Sequence, residues 1–348
     1  MTIPINLALQ GGGAHGAFSW GVLDRLLQDE SVEIAAISGT SAGALNGAAV
    51  KAGLSSAPGA AGRQAARENL DYVWSQVGLF SDNRMVRWMS SMVPIPRGFQ
   101  RLAELISPVA WIEGVTRIFS PYDYGPFHSN PLGPILGEMP YPHLDRPEGP
   151  QFHVTATNVR TGRVRIFSGA EVTPEAIMAS GCLPTLFRAV EIDDPATGQR
   201  EAYWDGGYSG NPALFPLFGH DLPRDILIVA INPMERKRLP RTPVEIQDRI
   251  NEISFNSSLL RELRAIQFVK RLTEEGRLTN RGMKDPLIHL IADDELMNTL
   301  GARSKVLPGP GLLARMKAAG QTAADRFMDG DAANLGLRDS VDLPLLYG

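Results

Sequence analysis

The sequence predicts an α/β protein of three layers, with a mostly parallel central sheet flanked by helices and a helical cap inserted into it. Three observations carry this. Residues 5–47 alternate apolar strand-like runs with helical spacing around two glycine-rich turns, the pattern of a βαβ unit. Further short apolar runs at 151–157, 201–204, 226–231 and 286–291 extend a sheet well beyond that unit. The chain has 348 residues, 43% hydrophobic and 21% charged, enough for a sizeable core in one domain, 1–348.

The first strand is the run Ile5, Leu7, Ala8, Leu9. Gly11, Gly12, Gly13 and Gly16 follow it, just before a helix whose apolar residues include Phe18, Val22, Leu23, Leu26 and Leu27. Glycines there bare the backbone N–H groups, which can converge on an anion or a developing oxyanion at a helix N-terminus. GGGAHG also fits the G-x-G-x-x-G dinucleotide fingerprint. That fingerprint expects an acidic residue at the end of the second strand, where this chain has Ser38-Gly39-Thr40-Ser41.

The second strand, around Ile34 to Ile37, ends in Gly39-Thr40-Ser41-Ala42-Gly43, a G-x-S-x-G at a strand-to-helix junction. Such a turn holds its middle residue in a strained conformation with the hydroxyl exposed. Gly39, Ala42, Gly43 and Ala44 supply the smallness that lets strand and helix approach. A glycine turn or a G-x-S-x-G alone is commonly just a turn. Together in one βαβ unit they lie side by side at the carboxyl ends of parallel strands, which makes Ser41 a candidate nucleophile.

Leu54 to Gly62 reads as a connector, and Arg63 to Val77 as a helix covering the sheet. From 79 to 149 the texture becomes rich in Met, Trp and Pro, a cap or lid inserted within the domain. Its Met and Trp residues fit the core of the cap, and less well a surface for acyl chains. Strands follow at Gln151 to Thr157 and Arg163 to Phe167, then a short helix over Thr173 to Gly181. Asp193-Asp194 suits turn chemistry better than a cation site. Glu201 to Trp204 is strand-like and runs into Asp205-Gly206-Gly207, where a carboxylate at a strand end is placed to orient or deprotonate a nucleophile, although D-G-G is also an ordinary turn. Residues 240–348 read as a C-terminal helical extension. It holds a long amphipathic helix over Val244 to Glu275, whose Arg261, Arg264, Lys270, Arg271 and Arg277 suit a solvated face better than anionic lipid, and a closing helix over Leu312 to Met328.

A formal charge of −4 gives no basic footprint, so no nucleic acid is expected. A single cysteine, Cys182, excludes an internal disulfide and a cysteine-based metal site and fits a reducing compartment. The histidines show no ligand spacing, so no metal and no cofactor are expected. No apolar stretch approaches the length that spans a bilayer, and MTIPINLAL lacks the basic start of a signal peptide. The expected location is cytoplasmic, with membrane contact at most peripheral; oligomeric state is left open.

Three motifs, GGGAHG at 11–16, GTSAG at 39–43 and DGG at 205–207, resemble the patatin-like phospholipases and related acyl hydrolases. ASGCLPTLF at 179–187 and SPYDYGPFHSNPL at 120–132 are similar to segments of bacterial members, and the likeness runs to about residue 235. The resemblance implies a patatin-like fold and a Ser–Asp dyad without histidine. Ser41 would be the nucleophile and Asp205 the general base. The Gly11, Gly12, Gly13 and Ala14 loop would form the oxyanion hole, with Gly16, Gly39, Gly43, Gly206 and Gly207 supporting the motifs. The implied substrate is a lipid-like carboxylic ester, as for a phospholipase A or lysophospholipase. His15 stands where family members commonly have Arg or Lys, so a weaker or pH-dependent hold on a phosphate head group is expected.

Alternatives stay open. An esterase, thioesterase or polyester depolymerase would use the same dyad. An ordinary α/β-hydrolase would need a late histidine, and only His289, inside the apolar run 286–291, is available. A catalytically silent lipid-binding scaffold would keep the fold without the chemistry.

Overall fold

The computed structural model describes residues 2–79, 120–123, 130, 132–137, 144–278, 283–301, 304–305 and 309–347. Its strands are β1 (Ile3–Leu9), β2 (Val32–Thr40), β3 (Gln151–Asn158), β4 (Val164–Ser168), β5 (Val190–Asp194), β6 (Gln199–Asp205), β7 (Asp225–Val229) and β8 (Leu287–Ile291). They form one sheet in the order β5-β6-β3-β2-β1-β7-β8, with β4 also on β3. The run β3-β2-β1-β7-β8 is parallel, and β4, β5 and β6 join antiparallel. The helices are α1 (Gly16–Leu26), α2 (Ala42–Ser56), α3 (Gly59–Leu79), α4 (Leu132–Gly137), α5 (Pro174–Ser180), α6 (Pro243–Glu274), α7 (Asp294–Thr299), α8 (Pro310–Asp329) and α9 (Leu343–Tyr347).

Strand periodicity explains the layers. Leu7, Leu9, Ile37, Leu227 and Val229 point to one face, where they pack with Phe18 and Val22 of α1, Ala48 of α2, Val73 of α3 and Met316 and Phe327 of α8. The alternate residues Ala8, Ala36, Ile226, Ile228 and Ile288 point to the other face, beneath Leu259, Leu263 and Ile266 of α6 and Leu343 of α9. Both faces of the parallel strands are therefore covered, which is why they read as nearly continuous apolar runs. On the first face α1 and α8 touch backbone to backbone. A Cβ on Gly21 would lie 1.9 Å from the Lys317 carbonyl oxygen, and one on Gly320 would lie 2.0 Å from that of Phe18.

Two boundaries differ from the sequence expectation for physical reasons. The connector expected over 54–62 shrinks to Ala57 and Pro58, because Ala60 and Ala61 are strong helix formers and carry α3 back to Gly59. The long helix α6 starts at Pro243, set by a capping box in which Thr242 and Glu245 satisfy each other's backbone N–H groups. The cap expected over 79–149 lies largely outside the described residues. Of its described pieces, 144–150 is fastened where the chain returns to β3: Lys51 Nζ donates to the carbonyls of Arg146 and Glu148, each at 2.7 Å, and Ser55 Oγ also donates to Glu148.

The region 240–348 contributes β8 to the sheet as well as helices. Its tail covers the outer edge of that strand. Ser340 N–H donates to the Ile288 carbonyl at 3.0 Å, and Asp339 Oδ1 accepts Ile288 N–H at 2.7 Å, which removes a free edge from solvent. Asp194 is buried against Arg165 at 2.6 Å, accepts from the Tyr203 hydroxyl and caps Ala196 N–H, while Asp193 lies 3.6 Å from Arg200. The aspartate pair thus ends a strand and begins a turn. No helix among the described residues is long and apolar enough to cross a membrane.

Candidate active site

Ser41 follows the last residue of β2 with φ 54° and ψ −120°, the only non-glycine residue at positive φ among those described. Such a conformation costs on the order of 1–3 kcal/mol and survives only where neighbours impose it. They do so here through smallness. A Cβ on Gly43 would lie 2.1 Å from the Leu9 carbonyl oxygen, and added carbons on Gly16 and Gly39 would lie 2.6 Å from Ala42 Cβ and the Gly43 carbonyl oxygen. The Ser41 carbonyl accepts from Ala44 and Leu45 and so opens α2, while its N–H donates to Ser180 Oγ at 2.8 Å. Ser180 in turn donates to the Thr155 carbonyl at 2.6 Å and thereby ties the elbow to β3.

Strand β3 also delivers Asp205. It pairs Thr155 with Thr40 of β2 and Ala156 with Asp205 of β6, and its opposite edge is occupied by β4. Strands β2 and β6 therefore lie end to end along one edge of β3. The residue after Thr40 and the residue at Asp205 meet at the gap. Gly206 makes the junction possible, since a Cβ there would stand 2.1 Å from the Thr155 carbonyl oxygen. Gly207 N–H donates to Asp205 Oδ1 at 2.7 Å, the Asp205 N–H donates to the Cys182 carbonyl at 2.8 Å, and Thr157 Oγ1 donates to the Asp205 carbonyl at 2.8 Å.

The electrostatics of this aspartate are set by burial. Asp205 is 1% exposed, and its Oδ2 has no hydrogen-bond partner among the described residues. Desolvation pushes its pKa up to about 7, against the Gly207 N–H and the nearby Ser41 hydroxyl, both of which favour the ionised form. Among the described residues the surrounding wall brings no opposing charge to Asp205: burial and the facing Asp205 push the Cys182 thiol up to about 12 and raise the Tyr208 phenol as well. Tyr208 is itself held edge-on against Phe255 of α6, with ring centroids 5.3 Å apart.

The glycine loop sits on the carboxyl end of β1. Gly11 departs from the expectation for it: its N–H is already given to Asn211 Oδ1 at 2.7 Å, and its carbonyl accepts from Asn211 Nδ2 at 3.1 Å and Asn232 Nδ2 at 2.7 Å. Gly11 is an anchor, not an available donor. The N–H groups of Gly12, Gly13 and Ala14 have no acceptor among the described residues. Gly13 adopts φ 60°, and the Lys305 carbonyl oxygen lies 2.6 Å from where its Cβ would be, so no other residue fits that position without moving the backbone.

Beneath the loop lies a buried amide network that was not anticipated. Gln10 donates to Asn256 Oδ1 at 3.1 Å and to the Asn211 carbonyl at 3.3 Å, and its Oε1 accepts from Ile231 N–H at 2.9 Å and Asn232 N–H at 3.1 Å. Asn256 closes it by donating to the Pro233 carbonyl at 3.1 Å. The available signal was the polar residue placed directly after each of two apolar strand runs, Gln10 after Leu9 and Asn232 after Ile231.

His15 also corrects an expectation. It is buried, and desolvation together with the charge of Lys305 pulls its pKa down to about 3. Ser304 Oγ donates to the Gly301 carbonyl at 2.6 Å, so the 2.8 Å contact to His15 Nε2 is made by an Nε2–H donor, and Nδ1 is left as an acceptor with no partner among the described residues. A neutral ring turned inward supplies no cation for a head group at ordinary pH. His289 is likewise occupied elsewhere, with Nε2 at 2.9 Å from Asp225 and Nδ1 at 2.7 Å from Ser340. It lies in register with Leu227, Leu7 and Ile37, three strands from β2, which is roughly 14 Å across the sheet at the usual strand spacing. It cannot complete a triad with Ser41.

A mostly parallel sheet with a strained serine and a buried carboxylate meeting under a glycine loop defines the class: a three-layer α/β fold built around a serine elbow. Within that class, the family model described as patatin-like phospholipase matches residues 7–218, and the chain belongs to that family. Among solved structures, VipD from Legionella pneumophila is 16% identical with a TM-score of 0.41, the match covering 93% of this chain and 66% of that one. The type III effector protein ExoU is 14% identical with a TM-score of 0.32, covering 94% of this chain and 53% of that one. The chain thus spans just under two thirds of the first and about half of the second. No curated protein matches it.

Proposed function

We propose that this chain is a serine acyl hydrolase of lipid-like carboxylic esters, of the phospholipase A or lysophospholipase type, working through a Ser41–Asp205 dyad. The observation that carries the reading is the buried Asp205 carboxyl, its Oδ2 without a geometric hydrogen-bond partner among the described residues, beside the hydroxyl of an elbow serine. Asp205 takes the proton as Ser41 Oγ attacks the ester carbonyl. The N–H groups of Gly12, Gly13 and Ala14 receive the oxyanion, the alcohol leaves with a proton from Asp205, and water attacks the acyl-serine with Asp205 again as base. One lost oxyanion donor in such a site costs on the order of 3 kcal/mol. The family supports action on lipid-like substrates, and a single free thiol, the buried Cys182, suits a reducing compartment such as the cytoplasm.

The test is hydrolysis of p-nitrophenyl esters of increasing acyl length by the wild type and by Ser41→Ala, Asp205→Asn and His289→Ala, with fluorophosphonate labelling of the serine. Loss in the first two with residual turnover by the folded fraction of the third supports the dyad. An inert, unlabelled wild type rejects the reading.

A further inference from the structure

The N-terminal half of α6 carries an apolar surface that no part of the core uses. Ile246, Ile250 and Ile253 are 43%, 53% and 55% exposed, and Leu239 in the preceding loop is 84% exposed. Spacings of four and three put the isoleucines in one row, roughly 140° round the helix from the buried face of Glu252, Phe255, Asn256 and Leu259. Singly, exposed apolar residues need no explanation; a row of three beside an exposed leucine does.

The charge around this row is basic. Lys237, Arg238 and Arg241 are exposed, and no carboxylate forms a salt bridge with them among the described residues. Of the nearby acids among the described residues, Glu252 is committed to Arg236, Arg249 and Lys305, Asp248 to Lys305, and Glu245 to the N–H groups of Arg241 and Thr242, with the Arg241 charge also close; Asp294 accepts from Met234 N–H and faces Arg236, and Glu235 lies beside it. Further cations are spent differently, Lys270 of α6 on Asp285 and Asp339, and Arg271 of α6 and Arg277 just beyond it on Glu275.

The position follows from topology. The loop 234–241 leaves the carboxyl end of β7, the same edge of the parallel sheet that carries the glycine loop and Ser41. The inner face of α6 touches that site directly, with Asn256 on Gln10 and Phe255 against Gly207. The isoleucine row lies one helix diameter, about 10 Å, outside it. An apolar row that sinks below the head groups, flanked by lysine and arginine that meet anionic lipid, is the physical design of an interfacial helix. We propose that Leu239 and the outer face of α6, with Lys237, Arg238 and Arg241, lay this chain on an anionic bilayer beside its active site. The purpose rests on the hydrolase reading; the test does not.

The experiment is co-sedimentation of the full chain with vesicles of phosphatidylcholine alone and of phosphatidylcholine with phosphatidylglycerol. The variants are Ile246→Ser/Ile250→Ser/Ile253→Ser and Lys237→Glu/Arg238→Glu, with p-nitrophenyl butyrate turnover and thermal melting as controls. The wild type is expected to sediment with the anionic vesicles, and each variant to lose on the order of tenfold in partitioning, with soluble-ester turnover and melting unchanged. Should the triple variant misfold, the loop variant decides, because its two side chains are exposed and outside any helix. Undiminished binding by the variants, a wild type that stays in the supernatant, or a wild-type dimer that the isoleucine changes split into monomers each overturns the proposal, the last giving the surface to a second copy. Failure of butyrate turnover in the wild type would sink the hydrolase reading and leave the vesicle result standing.

Discussion

Asp205→Asn separates catalysis from stability, because the same burial that would make Asp205 a usable base also makes it a liability to the fold. Its pKa rises from 3.8 to about 7 in the folded chain. The folded state therefore holds a proton that the unfolded state releases between those values, and stability falls as pH climbs through that window. At roughly 1.4 kcal/mol per pH unit the loss is on the order of 4 kcal/mol, complete above about pH 7 and absent below about pH 4. Asparagine keeps the shape and the acceptor for Gly207 N–H but never ionises. The variant is expected to be inactive, to match the wild type at pH 4, and to melt several degrees higher at pH 9. Thermal melts of both proteins across that range provide the assay. A melting difference that does not change with pH, or an asparagine variant less stable at pH 9, would refute the claim that desolvation governs this carboxyl.

Three further outcomes follow from the same geometry. The kcat/KM for a soluble ester should rise with pH through about 7 and level off above it, with no second inflection from His15, whose ring is neutral throughout; a pH–rate profile flat from 5 to 9 would count against Asp205 as base. Ser180→Ala leaves the Ser41 N–H and the Thr155 carbonyl without their shared partner, at about 1–3 kcal/mol for each stranded group; kcat should fall at least tenfold with KM little changed, and unaltered kcat would show that the elbow does not need this tie. Gly320→Ala drives a methyl into the Phe18 carbonyl oxygen 2.0 Å away; denaturant unfolding should show a loss of 2 kcal/mol or more, and a neutral result would mean that α1 and α8 can part freely.

What was legible in the sequence was what a short segment imposes on itself. A serine flanked by Gly39 and Gly43 at the end of an apolar run has few conformations open to it, and so Ser41 and its strand-to-helix turn were visible. The strands and helices were visible because apolar residues repeat at two or at three to four positions. Long-range register was not visible. Nothing local says that Ala156 pairs with Asp205 directly after Thr155 pairs with Thr40, yet that adjacency is what brings serine and aspartate together. The same blindness hid the link from Gln10 to Asn211, Asn232 and Asn256, four amides from separate segments that make sense only once buried together. It also made His15 look like a weakened cation, since Ser304 and Lys305, which turn it neutral and inward, lie far along the chain.

The end-to-end seating of β2 and β6 on β3 gives the candidate site an internal ruler. Thr40, the residue before Ser41, and Asp205 pair with consecutive residues of one strand, a step of roughly 3.3 Å fixed by backbone geometry. Residues between α3 and Gln151 lie outside that pairing, so their length can change while Thr40 and Asp205 keep the places that a single strand has given them.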